Sequence, residues 1–176
     1  MGRPAYRPAG VFTRKEYRDI VLESIKHCQA EKGLLLHCWC IMSNHLHLIA
    51  SAKNLDLSDV LRDFKKFTSK QIITAIENNQ TESRRDWMLK IFQDQGEKNI
   101  RNKNYQFWRQ NLSRTRFGNN QPQELYSSAF IFQKINYIHN NPVEAGIVDK
   151  AEHYLYSSAR DYHLTKKCGL LDVVFI

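Results

Sequence analysis

Residues 34–51 read LLLHCWCIMSNHLHLIAS, and their pattern is the clearest indication of secondary structure in the chain. It contains two short apolar runs, 34–42 and 45–51, separated by the turn dipeptide Ser43-Asn44. Neither apolar run continues to the length of a typical helix. Short apolar runs on either side of a turn predict a β-hairpin.

The second strand of this hairpin carries two histidines. Successive strand residues point to opposite faces, so His45 and His47 project together while Leu46 and Leu48 point the other way. Residues two apart on a strand lie roughly 7 Å apart, which lets two imidazoles converge on one divalent ion. Two such histidines can also be ordinary, partly exposed strand residues, and the spacing alone leaves both interpretations open.

Residues of the first strand make a zinc site conceivable as well. His37, Cys38 and Cys40 crowd this strand, and imidazole and thiolate are zinc ligands. However, Cys38-x-Cys40 is not the C-x-x-C pair of zinc sites, and no second pair follows at finger spacing. The four cysteines are too few and too scattered for a disulfide framework, so we expect reduced thiols.

Helical patterns flank the hairpin on both sides. The segment TRKE at 13–16 has the form of a capping box and precedes a predicted helix over 14–31. After the hairpin, Asp56 or Ser58 can cap a second helix, which ends near residue 79. Both helices are amphipathic, so each should pack one face on the core.

The second half of the chain predicts two more helices and one strand. The helices span about 82–93 and 124–140, and Pro142 should end the latter. Alternating aromatic residues at 105–109 predict the strand, and the apolar tail at 170–176 predicts an edge strand or a docking segment. The residues expected to face the core in the second, third and fourth helices are Val60, Leu61, Phe64, Phe67, Ile72, Ile76, Trp87, Met88, Ile91, Phe92, Phe130, Ile131, Ile135 and Ile138.

The fourth helix also carries a phenol and an amide on one face. Tyr137 and Asn141 are four residues apart and therefore neighbours, and Ile135 and Ile138 lie off their face. A helical tyrosine is ordinarily a packing residue with its hydroxyl in water. Position alone does not decide between that interpretation and a nucleophile.

Charge and length narrow the function classes. The chain has 176 residues with 26 Lys plus Arg against 18 Asp plus Glu, a formal charge of +8. Residues 84–116 hold nine of the basic residues and three acidic ones, a net +6 that attracts polyanions unless it is simply a solvated face. The length fits one domain over 1–176, with 1–10 irregular and 159–176 as a C-terminal appendage. No apolar run approaches the roughly 18 residues of a membrane span and no secretory stretch is visible, so we expect a cytoplasmic protein with no membrane partner.

The motifs in this order resemble a known family. The segments CIMSNHLHLI at 40–49, Phe107-Trp108 and YIHNNPVEAGIV at 137–148 resemble the single-tyrosine HUH transposases, in the REP-associated branch of the IS200-like superfamily. The resemblance runs from about residue 11 to the Tyr-Ser-Ser motif at 156–158.

This resemblance implies a fold and a set of roles. The fold is α+β, a ferredoxin-like antiparallel sheet with helices on one side. Its first strand is missing or replaced here, because residues 1–10 contain two prolines and no apolar run. By motif matching, His45 and His47 bind Mg or Mn, Asn141 is the third ligand and Tyr137 is the nucleophile.

The expected partner is single-stranded or hairpin DNA, and the resemblance also allows a homodimer. Cations interleaved with aromatic rings grip phosphates and stack unpaired bases. Phe107 and Trp108 are the aromatic residues of this stretch that we assign to core packing. The cations assigned to DNA are Lys65, Lys66, Arg101, Lys103, Arg109, Arg114 and Arg116.

The leading hypothesis is thus a metal-dependent single-stranded DNA endonuclease and strand transferase that acts on hairpin-forming repeats through a 5′-phosphotyrosine at Tyr137. The main alternative is a DNA-hairpin-binding remnant that lost catalysis with its first strand. A third hypothesis is a zinc-stabilised RNA-binding module, which would need Cys38 or Cys40 among its ligands.

Overall fold

The described part of the chain combines a β-hairpin with five α-helices. The computed structural model describes residues 10–53, 56–98, 104–108, 128–163 and 169–176. Within these ranges the predicted α+β class is confirmed, and no helix is both long and apolar enough to cross a membrane. In chain order the elements are a 3₁₀ turn (Val11–Thr13), α1 (Lys15–Glu31), β1 (Leu34–Ile41), β2 (Leu46–Ala52), α2 (Leu57–Asn78), α3 (Arg85–Glu97), α4 (Ser128–Glu144), a second 3₁₀ turn (Ala151–His153) and α5 (Ala159–His163).

The hairpin is confirmed. β1 and β2 pair antiparallel, and the Met42 N–H donates to the His45 carbonyl at 2.9 Å across the turn. The register shifts between Leu36 and Cys38, so His37 is a bulge in β1. Because side chains alternate on a strand, this extra residue reverses the alternation and decides which part of β1 faces which helix.

The two faces of the hairpin pack against different helices. Leu36 and Trp39 on one face join the core formed with α1 and α2. Cys38 and Cys40 on the other face pack with Ile49 of β2 and with α4. Helices therefore cover both faces, not one side as the resemblance implies, because β1 is apolar on both sides and each side must be shielded from water.

The second edge of β1 is covered by the end of the chain. The Ile41 N–H donates to the Tyr156 carbonyl, and the Ser158 N–H donates to the Trp39 carbonyl, both at 2.9 Å. Further along β1, the Val174 N–H donates to the Leu36 carbonyl at 2.8 Å. The tail thus docks on the hairpin, which is one of its two predicted states.

The predicted loss of a first strand concerns the opposite edge of the sheet. Among the described residues, β2 pairs only with β1. Residues 1–9 lie outside those ranges, so a missing or replaced strand stays a prediction. The same holds for the single-domain assignment and for the boundaries at 10 and 159.

The first two helices are confirmed, but one of their predicted caps is wrong. Asp56 caps α2 as expected, accepting a backbone N–H two residues on at 2.7 Å. At α1 no side chain caps the helix, because the Thr13 hydroxyl donates instead to the Gly10 carbonyl at 2.7 Å. Glu16 accepts from the Asn79 amide rather than reaching back along its own helix.

Three aromatic residues predicted to be buried are exposed. Phe67 and Trp87 are more than half exposed, and Phe130 is also exposed. The buried face of α3 consists of Met88, Phe92 and Gly96, which are spaced four residues apart. Trp87 precedes Met88 by one residue and therefore lies beside this face. The prediction is wrong for these three residues because the buried face of each helix is narrower than its full set of apolar and aromatic residues.

The predicted strand at 105–109 is also wrong over its described part. Residues 104–108 are irregular, and residue 109 lies outside the described ranges. The Trp108 Nε1–H donates to the Thr68 hydroxyl at 2.9 Å, and the Phe107 ring lies 5.2 Å from that of Phe92. The segment thus covers α2 and α3, and the predicted packing of Phe107 and Trp108 is confirmed.

Pro142 does not end α4, which continues to Glu144. Pro142 is fully buried, and packing holds it in the last turn despite the lost N–H. Two residues after the helix, Gly146 has a φ of +67°, which is left-handed and suits glycine. The Ile147 N–H then donates to the Pro142 carbonyl at 2.9 Å, which closes the end of the helix.

Candidate active site

The two histidines meet at the start of β2. The Nε2 atoms of His45 and His47 are 2.9 Å apart, and their ring planes are nearly perpendicular at 87°. Burial lowers the pKa of both imidazoles, and burial followed by the neighbouring His45 brings the pKa of His47 to about 4. Both rings are therefore neutral at pH 7, which is the form that binds metal ions.

Asn44 in the hairpin turn orients the first ring. The His45 Nδ1 lies 2.5 Å from the Asn44 Oδ1, and an amide oxygen can only accept, so His45 donates through Nδ1. The lone pair of a neutral imidazole then sits on Nε2, directed toward His47. The sequence predicts Asn44 only as a turn residue, although an amide beside a candidate metal ligand also suggests a residue that orients that ligand.

α4 places Tyr137 beside this pair in the same chain. Ile135 and Ile138 pack on the hairpin face that carries Ile49, two residues after His47. The Tyr137 ring consequently lies 5.9 Å from the His47 ring, edge to face at 83°. About half of the Tyr137 side chain is exposed, so its ring is accessible to a bound strand.

Asn141 completes the group, one turn after Tyr137. Its Nδ2 donates to the Tyr137 carbonyl at 2.7 Å, and its side chain also hydrogen-bonds His47. The structure thus brings together all four residues that the sequence motifs singled out: His45, His47, Tyr137 and Asn141.

The donor set fits a divalent ion. The two imidazole nitrogens, 2.9 Å apart, would both be able to bind one divalent ion placed between them. The described residues contain no cluster of three His, Cys, Asp or Glu side chains, so a third protein ligand here would be the amide oxygen of Asn141. Such a site keeps coordination positions for water or phosphate oxygens.

The two cysteines and the one histidine of β1 have other partners. The Cys38 Sγ lies 3.3 Å from the His139 Nε2, which also contacts the Ser158 hydroxyl at 2.9 Å. Burial raises the pKa of the Cys38 and Cys40 thiols to about 12, so both stay protonated. His37 lies between the Val174 carbonyl and the Ser51 hydroxyl, each 2.8 Å away. Among the described residues, no group of three His, Cys, Asp or Glu side chains that could hold zinc includes these thiols.

The residues assigned to DNA are only partly described. On α2, Lys66 is exposed and Lys65 is half-buried. Within the basic block, Arg84, Arg85 and Lys90 are neutralised by ion pairs with nearby carboxylates. The remaining assigned residues lie outside the described ranges: Arg101, Lys103, Arg109, Arg114 and Arg116.

Comparison with known proteins identifies the family. The family model described as "Transposase IS200 like" matches residues 2–95, just over half of the chain. The matched span includes the His45–His47 hairpin and ends before Tyr137. No curated protein and no solved structure matches the chain. On the extent of this match, the chain belongs to the IS200-like transposase family.

Proposed function

We propose that the chain is a metal-dependent endonuclease and strand transferase for single-stranded DNA, with Tyr137 as the nucleophile. Membership of a transposase family supports DNA binding and transposase-type cleavage. The observation that carries the finer proposal is the position of the half-exposed Tyr137, 5.9 Å from a pair of neutral, converging histidines in the same chain.

The chemistry follows from the side chains. The Tyr137 oxygen attacks the scissile phosphate and forms a new P–O bond, while the bond to the 3′ oxygen breaks. The phenol releases its proton, the departing 3′ oxygen takes one up, and a 5′-phosphotyrosine results. Mg or Mn, when bound by His45, His47 and Asn141, would polarise the phosphate and offset its developing charge. The covalent bond preserves the energy of the phosphodiester, so a 3′-hydroxyl can reverse the reaction and join strands.

The substrate is proposed to be a hairpin-forming repeat. Support comes from the YIHNNPVEAGIV segment at 137–148, which resembles the REP-associated branch and forms the C-terminal half of α4 and the glycine-containing turn after it. We place all four members of the site in one chain, since His47 contacts both His45 and Tyr137 there. A homodimer also remains a prediction, which sedimentation analysis can test.

An adduct assay tests this proposal. End-labelled single-stranded DNA carrying hairpins from the flanks of the gene is incubated with Mn, denatured and separated on a gel. We expect a labelled protein band with the wild type and none with Tyr137→Phe, which keeps the ring but lacks the attacking oxygen. His47→Ala should also lose the band. Tyr154→Phe is the matched control, because the Tyr154 hydroxyl is buried and donates to the Ile41 carbonyl at 2.8 Å.

Two outcomes contradict the proposal. A band that persists in Tyr137→Phe assigns the chemistry to another nucleophile. Hairpin binding without any band in the wild type identifies the alternative, a DNA-binding remnant without catalysis.

A further inference from the structure

The outer face of α4 aligns a second aromatic ring and a cation with Tyr137. Phe130, Lys134, Tyr137 and Asn141 are four, three and four residues apart, so at about 100° per residue they share an arc of about 60°. The Lys134 Nζ lies 5.2 Å from the Phe130 ring centroid and 5.9 Å from the Tyr137 ring centroid. Phe130 is 37% exposed and Tyr137 is 51% exposed. A cation thus sits between two accessible rings on the face that carries the nucleophile.

The charge of Lys134 is not balanced within its helix. Lys134 is the only basic residue of α4, and the only acidic one, Glu144, lies at the far end. Among the ion pairs of the described residues, none includes Lys134. Its ammonium group is therefore available to an anion that approaches Tyr137.

A single nucleic acid strand matches this combination of groups. An ammonium group binds a phosphate, and an exposed ring stacks on an unpaired base whatever its identity. A duplex offers the phosphate but not the base, since its bases are already stacked and paired.

We propose that Phe130 and Lys134 hold the DNA strand that Tyr137 cleaves. Lys134 binds a phosphate next to the scissile one, and Phe130 stacks on a neighbouring unpaired base. This inference rests on the proposed function and adds the path of the strand. The strand runs along α4 from Tyr137 toward the N-terminal end of the helix. The rise of the helix places Phe130 about 10 Å from Tyr137, the length of about three stacked nucleotides.

Binding of dT12, a twelve-residue thymidylate strand, tests this path without requiring cleavage or a known target. Replacing Phe130 with Ala should weaken binding by roughly 5- to 140-fold, the range of one lost base stack. Phe130→Trp should bind as the wild type does. In a plot of the logarithm of the binding constant against the logarithm of the salt concentration, Lys134→Gln should lower the magnitude of the slope by about 0.7. This is the value of one phosphate contact on a single strand. Lys134→Arg should restore it.

Two matched controls separate this role from general surface effects. Phe132 is 54% exposed on the same helix, but it points about 160° away from Lys134. Lys26 is an exposed lysine of α1 that pairs with Glu23 at 2.8 Å. Neither Phe132→Ala nor Lys26→Gln should change the affinity or the salt dependence. Thermal melting by circular dichroism confirms that each variant is folded.

The outcomes distinguish this inference from the proposed function. Loss of dT12 binding in the Phe130 and Lys134 variants supports the strand path even if no covalent adduct forms in the wild type. The path is overturned if Phe130→Ala behaves as Phe132→Ala does, if the salt dependence of Lys134→Gln equals that of the wild type, or if the wild type does not bind dT12. Equal losses on a blunt 12-base-pair duplex would overturn the stacking role.

Discussion

The buried carboxylate of Glu82 should make stability depend on acid pH. Glu82 accepts from the Arg14 guanidinium at 3.1 Å and from that of Arg84 at 2.9 and 3.1 Å, and its side chain is fully buried. The Arg84 backbone N–H adds a fourth bond at 3.1 Å. The hydrogen bonds from Arg84 are the largest cause that holds the pKa of Glu82 at about 2, below its ordinary value of 4.5.

The magnitude follows from linkage between protonation and folding. A carboxylate whose pKa is lower in the folded state adds stability above its unfolded pKa and loses it as the pH falls through the folded value. Each tenfold change in proton affinity is worth 1.36 kcal/mol, so the fall from 4.5 to about 2 corresponds to about 3 kcal/mol. We expect Glu82→Gln to lower the free energy of unfolding by about 3 kcal/mol at pH 7. Wild type and variant should converge as the pH falls from 4.5 toward 2.

Urea unfolding followed by circular dichroism from pH 2 to 7 measures this difference. The control is Asp94→Asn, which removes an exposed partner of Lys90 and should change stability little at any pH. The reasoning is refuted if Glu82→Gln is as stable as the wild type at pH 7, or if the difference between them is the same at pH 2.5 as at pH 7.

Two further predictions concern the packing of α3 and the basic block. A Cβ at Gly96 would lie 2.5 Å from the Asn104 carbonyl oxygen, so Gly96→Ala should lower stability by about 1–3 kcal/mol despite the better helix propensity of Ala; an unchanged or higher melting temperature contradicts this packing. Neutralising Arg101, Lys103 and Arg114 together should lower the magnitude of the salt dependence of DNA binding by about 2 on a single strand, with little change in preference between hairpins. Parallel salt plots for wild type and triple variant would show that these residues do not contact phosphates.

The local features of the fold were predictable because they depend on short-range patterns. The hairpin at 34–51 has runs too short for helices and a clear turn, and period-two alternation assigned His45 and His47 to one face. α2 was predictable for the same reason, since Asp56 is an N-cap residue placed directly before an amphipathic segment.

Features that depend on tertiary contacts were not predictable from the sequence. The capping box failed because Thr13 found a partner in the preceding turn, and the aromatic segment at 104–108 is irregular because it packs over α2 and α3. Pro142 stays within α4 because it is buried. Residues 104–108 and Pro142 owe their conformations to neighbours distant in sequence, whereas the capping box is replaced by a local bond from Thr13 to the Gly10 carbonyl.

The candidate site also has parts that the sequence predicts and parts that depend on tertiary contacts. Spacing predicted that His45 and His47 share a face, and that Tyr137 and Asn141 share another. It could not predict that the two pairs meet, because their contact depends on the packing of α4 against the hairpin, about 90 residues away in sequence. Asn44 was predicted only as a turn residue, although it is adjacent in sequence to His45, which it binds.

The most direct test of the account is to identify the residue that carries DNA after the reaction. The wild-type protein is incubated with the single-stranded hairpin substrate and Mn, digested with protease and nuclease, and analysed by tandem mass spectrometry. The account predicts a nucleotide mass on the peptide that contains Tyr137, at the tyrosine itself, and its absence when the metal is chelated. A nucleotide on any other residue, or an unmodified Tyr137 peptide alongside cleaved DNA, would contradict the assignment of Tyr137 as the nucleophile.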